Sequence, residues 1–291
     1  IAQTITTFKQ PYAVLTDANG QIEEYAGVTC QPWSTHYPML EYFRQLKVDD
    51  GLSAIATAMA MFAADLNHWY EEGVCPMDCL DLQKHASLLM YRLFAWYHQR
   101  TTTQHDVVGR GSTAADAVDR SICLALLIFM VTATEPNAGS FGPRLSKTVF
   151  ALRQSLEQVG KRQWEQTQDL LVWILAMGAL GENSLPRAYK PLRGDHRTSF
   201  FREHMILAME SESLDQRPCI AHILQRMATC LWVPSVFNER VRVLWEYMDL
   251  NGAADVEPEE MGIAEADRVE DEYALGRSTT LRFFTADKAR D

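Results

Sequence analysis

The stretch WEQTQDLLVWILAMGALG, Trp164 to Gly181, decides the fold class. Leu170, Leu171, Trp173, Ile174 and Met177 recur at helical spacing, with Val172 and Leu175 filling the gaps, so apolar side chains ring most of the cylinder. Such a helix has no polar stripe to show to water and is expected at the centre of a body, covered by the segments that follow it. Gly178 and Gly181 are expected to mark its end, because glycine accepts the left-handed conformation that closes many helices. At about 18 residues it is long enough to cross a bilayer. Glu165 and Asp169 inside the window, and the lack of flanking charge-biased loops, read instead as a core helix, with no membrane partner.

The chain has 291 residues and is 47% hydrophobic, which suits one large packed domain or two small ones. A formal charge of −11 argues against holding DNA or RNA on its own surface, since phosphate binding is driven by lysine and arginine clusters that release counterions. Cys30, Cys75, Cys79, Cys123, Cys219 and Cys230 are scattered, mostly within helical patterns, as expected for reduced thiols of an intracellular protein. Cys75 and Cys79 form a C-x3-C pair with no second pair or histidine at finger-like spacing, so packed thiols are expected there rather than zinc. No basic-then-apolar leader opens the chain, and Ile1 in place of methionine reads as the start of a fragment or a processed chain.

Taken in order, residues 1–36 read as an irregular arm packed on the body through Tyr12, Tyr25 and Trp33. Residues 37–252 read as a helical domain. Its first helix, from Pro38, stops at Asp49-Asp50-Gly51; the second, Leu52 to Glu72, carries a narrow face of Ala54, Ala58, Met61 and Ala64. A third, 77–100, has the seam Leu82, Ala86, Leu89, Leu93 and Trp96, and a polar loop follows from Thr101 to Gly111. Ser112 or Thr113 is expected to cap the next helix, with Asp116 completing a capping box. That helix ends in the unbroken apolar run Ile122 to Val131, too short to span a membrane and so expected to be buried on all sides.

Pro143 restarts a helix with Leu145, Val149, Leu152, Leu156 and Val159, and Gly160 ends it. Beyond the central stretch, Asp195 is expected to cap a helix through Met209. Pro218 opens another carrying Ile220, Ile223, Leu224, Met227 and Leu231; Pro234 interrupts, and Ser235 caps the last, with Val241, Leu244, Trp245 and Met248 inward. No run of alternating strands is present. The expected fold is therefore all-α: about nine or ten helices in packed hairpins, without a substantial sheet. Residues 253–291 form an acidic tail whose 253–275 segment sets many carboxylates beside Met261, Ile263, Tyr273 and Leu275. It reads as a solvated linker or, more specifically, an acidic-hydrophobic interaction segment.

Catalytic patterns are missing. There is no H-E-x-x-H, G-x-S-x-G, phosphate-binding loop or G-x-G-x-x-G, and VVGRGST at 107–113 follows no strand. His204 and His222 fall on the expected inner halves of their helices, where hydrogen-bonded histidines are the simpler reading than ligands. An all-helical enzyme of the terpenoid-synthase kind is the competing reading. For it, Asp49-Asp50 offers a carboxylate pair without a third partner, and Ala64 to Glu72 is only superficially similar to a metal motif. The seven tryptophans and twelve methionines suit either a ligand cavity or, more simply, a core. A non-catalytic helical scaffold is the third reading.

From about residue 120 to 250 a series of pieces occurs in order. Trp164 comes first, then Trp173-Ile-Leu-Ala-Met-Gly178-Ala179, then Arg197-Thr-Ser-Phe200-Phe201, then Leu231-Trp232, then Leu244-Trp245-Glu246. This order and spacing resembles the regulatory region of fungal-specific transcription factors of the binuclear zinc cluster class. The resemblance implies a helical domain with no enzymatic role that responds to a small-molecule effector, a co-regulator protein or its own twin as a homodimer. It implies a nuclear location and structural roles for Trp164, Trp173, Gly178, Arg197, Phe200, Phe201, Trp232 and Trp245. The six-cysteine cluster of that class is absent, so zinc and DNA contact are expected only through a module outside these residues. No catalytic residue, cofactor or metal ligand is expected in the chain itself.

Overall fold

The computed structural model describes residues 24–25, 27–28, 38–106, 113–134, 141–183, 200–210 and 219–252. Among these the chain is all-α: nine helices, one short 3-10 turn and no strand. They are α1 Pro38–Leu46, α2 Asp50–Glu72, α3 Cys79–Asp106, α4 Ala114–Thr134, α5 Phe141–Glu157, a 3-10 turn Lys161–Trp164, α6 Gln168–Asn183, α7 Phe200–Glu210, α8 Ile220–Met227 and α9 Pro234–Gly252. Each helix from α1 to α6 packs on the next, while α4 meets α6, α2 meets α4, and α8 docks on α6. The chain divides into a compact unit, Ile1–Trp245, and a second unit, Glu246–Asp291. Tyr12, Cys30, Trp33, the 107–112 segment, Asp195, Arg197 and the acidic tail lie outside the described residues.

The rod at the centre is a pair. Every residue of α4 from Ser121 to Ala133 is buried, as is every residue of α6 from Val172 to Gly181. α4 is the one helix among the described residues long and apolar enough to cross a membrane, yet 89% of that window is covered by the body. Its Ser121, Thr132 and Thr134 hydroxyls donate to the carbonyls of Ala117, Ile128 and Met130 at 2.8, 2.8 and 2.7 Å, which lets polar side chains sit in an apolar seam.

The central stretch departs from expectation at both ends. Trp164 belongs to the 3-10 turn, and α6 begins only after Thr167, whose carbonyl accepts the Leu171 amide at 3.1 Å. Gly178 and Gly181 do not close the helix, which runs on to Asn183. They are interior positions of close approach: a Cβ on Gly178 would clash with the Cδ1–Cε1 edge of the Phe201 ring of α7, and one on Gly181 would lie 2.8 Å from Val149 Cγ2 of α5.

Other boundaries move for equally local reasons. Asp49 starts α2 rather than only stopping α1, because its carboxylate accepts the Gly51 and Leu52 amides at 3.0 and 3.2 Å. α3 continues through the expected loop to Asp106, with the Thr101 hydroxyl turned back onto the Tyr97 and His98 carbonyls. The capping box before α4 forms as expected: Asp116 N donates to Thr113 Oγ1 and Thr113 N to Asp116 Oδ2, both at 3.2 Å. α8 ends at Met227, so Leu231 is not on it. Pro234 is the first residue of α9 and not an interruption before it; proline's fixed φ suits that position, and the Val233 carbonyl, in place of a Ser235 cap, receives the Val236 and Phe237 amides at 2.9 and 3.0 Å.

Filling the Gly178 contact tests this packing. Gly178→Ala is expected to lower stability by about 1–3 kcal/mol in denaturant unfolding, the usual cost of overpacking. In a Phe201→Ala background the same change is expected to be nearly silent, since the two side chains meet each other.

Candidate functional site

The positions of the motif series come together in three places. The first is the link after α8. There the Leu231 carbonyl accepts the Trp173 indole N–H at 2.9 Å, the Trp232 carbonyl accepts Asn67 Nδ2 at 2.9 Å, and Trp232 Nε1 donates to Asn238 Oδ1 at 2.8 Å. One short segment is thus bolted to α6, α2 and α9. Trp173 is fully buried and tilts against Phe129, 6.1 Å between centroids; Phe129 stacks on Phe237 at 5.2 Å, and Phe237 meets Trp232 at 5.1 Å. The second place is the Gly178–Phe201 contact. The third is a cavity bordered by Trp164 and Phe200. Trp245 is half-buried on α9 and joins none of these groupings.

Asp169, at the start of α6, is a second tie that periodicity does not reveal. It accepts Tyr42 Oη at 3.1 Å from α1 and Arg226 Nε at 2.6 Å from α8, while Met39 N donates to the Thr229 carbonyl at 3.1 Å. Burial, followed by the Asp169 charge, pushes the Tyr42 hydroxyl above its ordinary range. Arg226 is buried, so this ion pair fixes the place of α8 more than it adds to stability.

Of the carboxylates in Asp49-Asp50 and in Ala64 to Glu72, Asp49 and Asp65 hold helices or chain segments in place, while Asp50, Glu71 and Glu72 are exposed. Asp49 caps α2, accepts Trp96 Nε1 at 2.7 Å and pairs with the Arg100 guanidinium, which lies over the Trp96 ring. Burial pushes its carboxyl up, but the Trp96 and Leu52 hydrogen bonds and the Arg100 charge bring it below the ordinary range. Asp119, buried on α4, accepts the Asp49 backbone N–H, and desolvation raises it to about 6. Asp65 is fully buried on α2 and receives the Tyr25 hydroxyl and, at 2.9 Å, the Val28 amide; this is how the N-terminal segment docks, as Tyr25 was expected to do.

Among the described residues no three His, Cys, Asp or Glu side chains converge as metal ligands. Cys75, Cys79, Cys123, Cys219 and Cys230 are free, with the Cys75 and Cys79 sulfurs 3.9 Å apart. His222 is exposed rather than inward, because α8 turns Ile223, Arg226 and Met227 to the body. His204 is half-buried; its Nδ1 lies 2.8 Å from the Phe200 carbonyl and its ring 4.0 Å from the Phe200 ring.

The cavity has a volume of about 230 Å³. One wall is the α6 stripe Gln168, Leu171 and Leu175; the other is the α7 stripe Phe200, His204, Leu207 and Ala208. Trp164 and the end of α5 close it below, with Lys161 and Glu165 among its polar lining. This arrangement can hold a small apolar molecule. No protein-family model, curated protein or solved structure matches the chain.

Two outcomes check these assignments. Trp173→Phe keeps the ring but strands the buried Leu231 carbonyl, and is expected to cost about 1–3 kcal/mol in unfolding experiments. Asp119 has a folded-state pKa near 6 against an ordinary 3.8, so the stability it contributes is present below 3.8 and lost as pH rises through about 6. Asp119→Asn keeps the acceptor for Asp49 N, and is expected to flatten the melting-temperature profile between about pH 4 and 6 and to melt above the parent at neutral pH.

Proposed function

We propose that this chain is the regulatory domain of a fungal transcription factor. It binds an effector or a co-regulator and so shifts the activity of a DNA-binding module carried outside these residues. The observation that carries the reading is that motif positions distant in sequence meet in space: Trp173 with Leu231, 58 residues apart, and Gly178 with Phe201. On this reading the motif series describes one packed unit. The charge of −11 supports leaving DNA contact, and the zinc that goes with it, to the other module, and the reading places the protein in the nucleus.

A ligand or partner alters output only by favouring one arrangement of the helices over another. α7 suits that part, since of the helices it packs chiefly on α6 and forms the outer wall of the cavity. The acidic segment 253–291 is proposed as the surface that meets the transcription machinery, and a homodimer is the alternative route to control.

Fusing the 291-residue chain to a heterologous DNA-binding module tests the proposal. Reporter output is expected to change about fivefold or more relative to the module alone, and to fall when 253–291 are removed. Output indifferent to the whole chain would contradict a regulatory role; output indifferent only to the truncation would remove the tail from the mechanism.

A further inference from the structure

The geometry points to Cys75 and Cys79 as a two-sulfur site for copper(I), a soft ion that accepts few ligands. The site goes beyond the regulatory reading and does not depend on it. The link between α2 and α3 holds the pair. Gly73 closes α2 in the left-handed conformation, its amide donating to the Trp69 carbonyl at 2.8 Å, and the Asp78 carboxylate accepts the Leu80 amide at 2.8 Å where α3 begins. The link is therefore fixed at both ends. Cys75 lies within it and Cys79 is the first residue of α3; both are free and half-buried, with their sulfurs 3.9 Å apart.

Distance sets the mode of binding. Two metal–sulfur bonds of about 2.3 Å across that gap enclose an angle of about 115°, so one ion reaches both sulfurs while the backbone stays where it is. Ligand number and softness then select the ion. Structural zinc takes four ligands, and among the described residues no third His, Cys, Asp or Glu joins this pair. Calcium and magnesium call for oxygen, whereas thiolates suit copper(I), for which low coordination is sufficient.

The surroundings favour a cation. Burial pushes the Cys75 thiol above its ordinary range; the Met77 amide opposes this by donating to Cys75 Sγ, and Cys79 and the Asp78 charge add to it. The Cys79 and Asp78 effects are repulsions between negative charges, and an ion shared by the two sulfurs turns them into attraction. The Met77 N–H is the kind of bond that steadies a metal-bound thiolate. Residues 71–81 add Glu71, Glu72 and Asp81 and carry no lysine or arginine. On binding, each thiol releases its proton to solvent as its sulfur bonds the metal; copper stays copper(I) and no electron moves.

Competition with the chromophoric chelator bicinchoninate tests the site on the purified, reduced 291-residue chain in oxygen-free buffer. The chain is expected to take one copper(I) from the chelator and to release about two protons. Cys75→Ser and Cys79→Ser are each expected to weaken uptake about a hundredfold with the metal-free melting temperature unchanged, while Cys219→Ser binds as the parent does. Should a serine variant fail to fold, the parent chain still decides: copper(I) is expected to shield Cys75 and Cys79, and not the exposed Cys219, from alkylation read by mass spectrometry. About a tenfold excess of zinc is expected to leave the bound copper in place. No uptake, uptake that survives loss of both thiols, shielding that extends to Cys219, or displacement by zinc would overturn the assignment.

Discussion

The Leu231 carbonyl sits in a buried segment with no helix of its own to satisfy it, and the Trp173 indole supplies the bond. Much of the body depends on that single donor. An unpaired buried carbonyl would cost free energy comparable to the net worth of several surface contacts, so the 228–233 link has one acceptable place to lie. Once the link is there, Trp232 reaches Asn67 and Asn238, α9 starts where Val233 accepts its first amides, and Phe237 stacks on Phe129. The pairing of α4 with α6 supplies the apolar area; the Trp173 bond sets the register in which later helices cover it.

Periodicity carried most of the architecture. The unbroken run Ile122 to Val131 and the ring of apolar residues in α6 allowed nothing but burial, and the Thr113–Asp116 cap was legible because both partners lie within one turn. What escaped were features that need a partner from elsewhere in the chain. Gly178 and Gly181 look alike as helix terminators or as sites of close approach, and only the arrival of Phe201, Val149 and Ile128 decides between them. Leu231 continues the α8 spacing yet belongs to a link, since Trp173 competes for its carbonyl. Asp119 and Asp169 stand out as lone carboxylates in apolar helices, a signal that some burial or pairing exists without saying with what.

The candidate site was half legible. Trp164 and Phe200 were named as structural positions, but Gln168, Leu171 and His204 gain meaning only when α6 and α7 face each other. Three carboxylates cap or cross-brace helices: Asp49 with Trp96 and Arg100, Asp65 with Tyr25 and Val28, Asp169 with Tyr42 and Arg226. Moving any of these helices breaks one of those bonds.

Hydrogen exchange at the tryptophan side chains tests the central claim most directly. The chain has seven indole N–H groups, each a separate NMR signal. The account predicts that the Trp173 proton exchanges slowest and only at the rate of global unfolding, together with the backbone amides of 122–131. A Trp173 indole that exchanges faster than the α4 amides, or keeps pace with a half-exposed tryptophan, would contradict it.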